Sequence, residues 1–181
     1  MKNNILFLLT MAVLSFGIVS CKSGGFKPDD KAMADITQFA DEMKGMKVEY
    51  ESLAGDIQTA IDTMNACNKT CMMDKKAKIN QEKMADSLKN DCNSILKKME
   101  DIKGAHSGLK AELDKLDADF GTWRTKAEKG ELQKETFEKE MEAYKSKKAG
   151  YQAKINEWTD QISSLQGQCE KNCETMEGCC E

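Results

Sequence analysis

The stretch Ile36-Thr37-Gln38-Phe39-Ala40-Asp41-Glu42-Met43-Lys44-Gly45-Met46-Lys47-Val48-Glu49-Tyr50 decides the fold, and it continues through Leu53, Ile57, Ala60 and Met64. Apolar side chains recur in alternating steps of three and four. That 3.5-residue period puts them on one stripe of a helix and is the pattern of a coiled-coil seam. Calling Ile36 position a and Phe39 position d, the seam reaches Cys67 at d and Cys71 at a. The same frame then gives Ala85, Cys92, Met99, His106, Leu113 and Phe120 at a, with Leu88, Ile95, Ile102, Leu109, Leu116 and Trp123 at d. Farther on, a holds Met141, Ile155, Ile162, Cys169 and Met176, and d holds Phe137, Tyr144, Tyr151, Trp158 and Leu165.

The seam turns polar or small in two clusters: Asp74, Lys78 and Gln81, then Ala127, Gly130 and Lys134. Gly130 is the one glycine of the helical region on the seam, and a left-handed glycine there would end a helix. Leu132-Gln133 before Phe137 has the spacing of a hydrophobic staple, and Ile79-Asn80 before Met84 repeats it with Asn80 as N-cap. Reversals are expected near 74–80 and 129–133. Pro28-Asp29-Asp30 marks the first helix start, with Asp29 or Asp30 as N-cap.

The expected fold is therefore all-α, an elongated antiparallel three-helix bundle or coiled coil with helices over 30–73, 80–128 and 133–177. Two alternatives stay open at 74–80, which lacks Gly and Pro: the first two helices could run on as one, or a two-helix chain could fold near Gly121. Gly104-Ala105-His106-Ser107-Gly108 reads as a kink or a turn, and the unbroken register favours a continuous helix. His106, Lys148 and Asn172 are isolated polar residues on the seam, and His106 is expected to be a core or interface histidine.

Composition agrees. Of 181 residues 32% are charged, and there is a single Pro, which disfavours a β-sandwich or barrel. One His and a formal charge of -4 argue against His-based acid/base chemistry and against nucleic-acid binding.

At the N-terminus, Lys2 precedes the apolar run Ile5 to Val19, the layout of a secretory signal and short for a membrane span. The run closes in Ile18-Val19-Ser20-Cys21, which resembles the lipobox of bacterial lipoproteins. That resemblance implies a cleaved signal peptide over 1–20 and a membrane anchor of acyl chains on Cys21. Two or more chains hold a protein stably where one is marginal. Lys22 after the cysteine resembles the sorting pattern that favours the outer membrane over the inner. Residues 21–29 read as a flexible tether, 30–177 as the coiled-coil bundle, and 178–181 as a Cys-rich tail.

In an up-down-up bundle Cys67, Cys71, Cys92, Cys169 and Cys173 converge on one pole, and Cys179 and Cys180 follow. In an exported protein such cysteines point first to interhelical disulfides, about 2–4 kcal/mol each. Seven is odd, so at least one differs. Cys67-Asn68-Lys69-Thr70-Cys71 and Cys169-Glu170-Lys171-Asn172-Cys173 resemble the twin C-x3-C pattern of small mitochondrial helical-hairpin chaperones, although 97 residues separate them here. Several thiolates near Met72, Met73 and Met176 also suit a soft metal, copper(I) or zinc.

No nucleotide loop, nucleophile-base pair or zinc-hydrolase helix is present in the sequence, so no catalytic residue is assigned and an enzyme is not expected. The expectation is a lipid-anchored envelope coiled coil, a structural spacer or protein-interaction module without a cofactor. Its alternative is an envelope metal-binding protein. It resembles the major outer-membrane lipoprotein in anchor and heptads, but ends in Cys179-Cys180-Glu181 without that family's C-terminal Lys. Partners are the membrane and an envelope protein, and a second copy of the chain is a further candidate.

Overall fold

The computed structural model describes residues 25–73 and 79–180; over 67–73, 79–85 and 176–180 the description is of the backbone alone. Three helices account for the fold: α1 (Asp30–Met73), α2 (Ile79–Glu128) and α3 (Lys134–Cys180). At 1.5 Å per residue they are roughly 65–75 Å long. Every pair is in contact, so the chain forms the expected all-α three-helix bundle.

The starts and stops follow local chemistry. Asp29 is the N-cap of α1: its carboxylate accepts from the Ala32 N–H at 2.8 Å and its carbonyl from Met33 N–H at 2.9 Å. α2 ends on Gly130, φ 68°, the left-handed residue the sequence called for. The Gly130 N–H donates to the Ala127 carbonyl and the Glu131 N–H to the Lys126 carbonyl, which together make a Schellman stop. Gln133 opens α3 by accepting from the Phe137 N–H at 2.9 Å.

Three points differ from expectation or decide between alternatives. α3 runs on to Cys180, so residues 178–180 of the tail expected over 178–181 are helical; one interior Gly178 costs only about 1 kcal/mol, too little to stop a helix. Within the segment expected as a tether over 21–29, Phe26 is docked: its N–H donates to the Leu132 carbonyl at 2.8 Å and its ring lies 5.1 Å from that of Phe137. Residues 104–108 lie within the unbroken α2, not in a turn. The expected Asn80 cap falls on a side chain outside the described set, and the reversal itself, 74–78, also lies outside the described residues.

Lys47 of α1 meets Asp114 and Asp117 of α2 at 3.2 and 3.0 Å, and Lys103 of α2 reaches Gln58 of α1 at 2.7 Å. Rising numbers on α1 thus meet falling numbers on α2. The two helices are antiparallel neighbours, which removes both the single long helix and the two-helix fold near Gly121. Glu42 pairs with Lys148, and Gln152 donates to Glu49 at 2.7 Å, so α1 and α3 run parallel.

Almost every buried residue in the described core occupies a or d of the frame begun at Ile36, with Ile61 as the exception. Burying such a stripe, not intrinsic propensity, is what holds long helices together in water. α3 contributes the looser share: Tyr144, Tyr151 and Trp158 are half-buried large rings on the same stripe.

Candidate functional site

Each of the three isolated polar residues on the seam, His106, Lys148 and Asn172, finds a partner. His106, buried midway along the rod, donates from Nε2 to the Tyr50 carbonyl at 2.8 Å, while the Tyr50 hydroxyl donates to the His106 carbonyl at 2.6 Å. The two rings stack at 3.9 Å between centroids and 3° between planes, with Trp158 of α3 at 5.9 Å from the imidazole. Burial pushes the Tyr50 phenol up from its ordinary value. This reciprocal clasp pairs one layer of α1 with one layer of α2. A one-layer slip would leave both polar groups buried without partners, which costs about 1–3 kcal/mol for each such group.

Lys148 reaches out of the seam of α3 to the Glu42 carboxylate and stands 5.8 Å above the Phe39 ring. The hydrogen bond from Lys148, helped by Gln38, holds the Glu42 carboxyl below the usual range. Asn172, the third polar seam residue, donates from Nδ2 toward the Cys92 sulfur at 3.9 Å.

That last contact places Cys92 against α3 within one turn of Cys169 and Cys173. Ile95, one turn on from Cys92, shares a groove with Gln168 and Asn172. The expected convergence of α2 and α3 cysteines is therefore present. Cys92 is 1% exposed and a thiol, Cys169 is 2% exposed, and Cys173 is half-buried and disulfide-bonded. The second sulfur of that disulfide lies outside the described side chains. So do the side chains of Cys67, Cys71, Cys179 and Cys180, although α1 and α3 carry their backbones, and Cys21 is outside the described residues altogether.

Thiols packed in an apolar core are poor nucleophiles, since the thiolate is the reactive form and needs solvation or a cation beside it. Among the described residues no three His, Cys, Asp or Glu side chains are grouped so as to hold a metal ion. Among the described helices none is long and apolar enough to cross a membrane.

Sequence reasoning did not anticipate the Tyr50–His106 clasp or the docking of Phe26. The first had a signal, a lone histidine and a tyrosine both on a positions. The second had a fainter one, an aromatic residue just ahead of a helix cap. Comparison with protein-family models, with curated proteins and with solved structures finds no match in any of the three.

Proposed function

We propose that this chain is a lipid-anchored rod of a bacterial cell envelope, exported and held at the outer membrane by acyl chains on Cys21. It acts as a spacer or protein-interaction module without catalytic turnover. The observation that carries this reading is Ile18-Val19-Ser20-Cys21 at the end of a signal-like apolar run, followed at once by a bundle about 70 Å long. A rod of that length separates what it is tied to from what it binds. Disulfide cross-linking at the cysteine end suits an oxidising compartment and keeps the helices from fraying where their ends meet.

Growth with labelled palmitate, followed by membrane fractionation, tests the anchor. The native chain should carry label and sediment with membranes, and Cys21→Ala should be unlabelled and soluble. Label persisting on the Cys21→Ala chain would sink the reading.

Soft-metal binding is the second reading, favoured by two buried cysteines, Cys92 and Cys169, at one level of the bundle. Thiol counting with metal analysis of the same sample separates the two. Copper or zinc retained in proportion to protein, and lost in Cys92→Ser, would favour the metal.

A further inference from the structure

The last described residues before α1 are fastened to the opposite end of the rod from the cysteines. Gly25 lies so close to the α2–α3 turn that a Cβ there would stand 1.6 Å from the Gly130 carbonyl oxygen. No side chain fits at that position without moving backbone. The hydrogen bond from Phe26 to Leu132, the packing of Phe26 on Phe137 and the Asp29 cap complete a strap from Gly25 to Asp30. Only Lys22, Ser23 and Gly24 separate this strap from Cys21, a reach of at most about 14 Å. The cysteine layer, by contrast, lies some 55–60 Å away along α1 and α3.

We infer that the α2–α3 turn is the bilayer-facing end of the rod, and that the strap makes the bundle stand with its cysteine end held out from the lipid surface. The inference rests on acylation of Cys21, as proposed above. The sides of the rod offer little reason to lie flat. Among the described residues Val48, 66% exposed, is the one large hydrophobic side chain left outside, so no apolar strip is available to sink into the interface. The chain after Ser20 carries a net charge of -5, which gives no attraction to anionic headgroups.

Energy transfer from tryptophan to dansyl-headgroup lipids in vesicles reads the orientation. Trp123 lies about 10 Å from the turn and Trp158 about 36 Å along α3 from its start. With Trp158→Phe, the remaining Trp123 should transfer several-fold more strongly than Trp158 does in Trp123→Phe. Equal transfer from the two would mean a rod lying flat, and stronger transfer from Trp158 would mean the reverse orientation; either overturns the inference.

A chain starting at a hexahistidine in place of Cys21, bound to nickel-chelating dansyl vesicles, repeats the measurement without acylation. Failure of the palmitate experiment with success here would remove the anchor while keeping the strap. In that format Gly25→Val, which must lift the strap, should bring the two tryptophans toward equal transfer at unchanged helical content. Should Gly25→Val lower helicity, Phe26→Ala takes its place with the same expected result. Transfer unaltered in a folded strap variant would show that the strap does not orient the rod.

Discussion

The two ends of the bundle share one seam and are held in different ways. At the α2–α3 turn, Phe39, Phe120, Trp123, Phe137 and Tyr144 form a continuous set of rings, with centroids 4.5–5.6 Å apart between Phe39 and Phe120, Phe120 and Trp123, Trp123 and Phe137, and Trp123 and Tyr144. Each such ring buries roughly 150–250 Å². At the other end the described side chains on the same seam include Met64, Cys92, Cys169 and Asn172, smaller groups that remove less apolar surface from water. There Cys173 is disulfide-bonded. A long bundle is thus stable at an end either by burying large rings or by shortening the list of states open to the unfolded chain.

The largest way to break the comparison is at the aromatic end. Trp123→Ala should cost about 3–5 kcal/mol in urea unfolding. The Trp123 indole N–H is buried without a hydrogen-bond partner, so Trp123→Phe, which removes that orphan donor along with some volume, should cost about 1 kcal/mol or less. A Phe variant as damaged as the Ala variant would mean that the rings are not what holds this end. At the cysteine end, reduction should lower stability by about 2–4 kcal/mol, and amide exchange should accelerate near Cys173 while the aromatic end keeps its protection. Uniform acceleration along the rod would show that the ends are not independent.

Between the ends, Tyr50→Phe removes one arm of the clasp and should cost about 1 kcal/mol, measured by thermal unfolding. Smallest is the Glu42–Lys148 pair. Because the hydrogen bond from Lys148 holds the folded Glu42 carboxyl below its ordinary value, its contribution is complete above that ordinary value and is lost as pH falls through the folded one. Acid titration of stability should therefore be shallower in Lys148→Met than in the native chain. Salt should diminish the difference, since Glu42 is substantially exposed.

Much of the fold was legible because the seam is a one-dimensional signal. Among the described side chains a residue's place modulo seven set its burial from Ile36 to Cys169, Ile61 apart, and Gly130 set a stop by the conformation it tolerates. The candidate site was legible in part: reflection of Cys92 about the second turn placed it at the level of Cys169, where Asn172 meets it. Which cysteines are oxidised was not legible, because pairing depends on sulfur approach between helices, and the spacing of cysteines along the chain fixes only their level.

The amino-acid order alone determined the all-α class, the stop at Gly130 and the stripe that is buried, since each depends on contacts within a few residues or on counting along the seam, whereas the contacts of Lys47 and Lys103 across α1 and α2 decided for three helices. Only the tertiary structure decided that His106 and Tyr50 exchange hydrogen bonds, that Lys148 leaves the seam for Glu42, and that Gly25 and Phe26 lie on the α2–α3 turn. Those contacts join residues 56 to 106 positions apart, and their geometry exists only once three separate helices have fixed one another's rotation and distance.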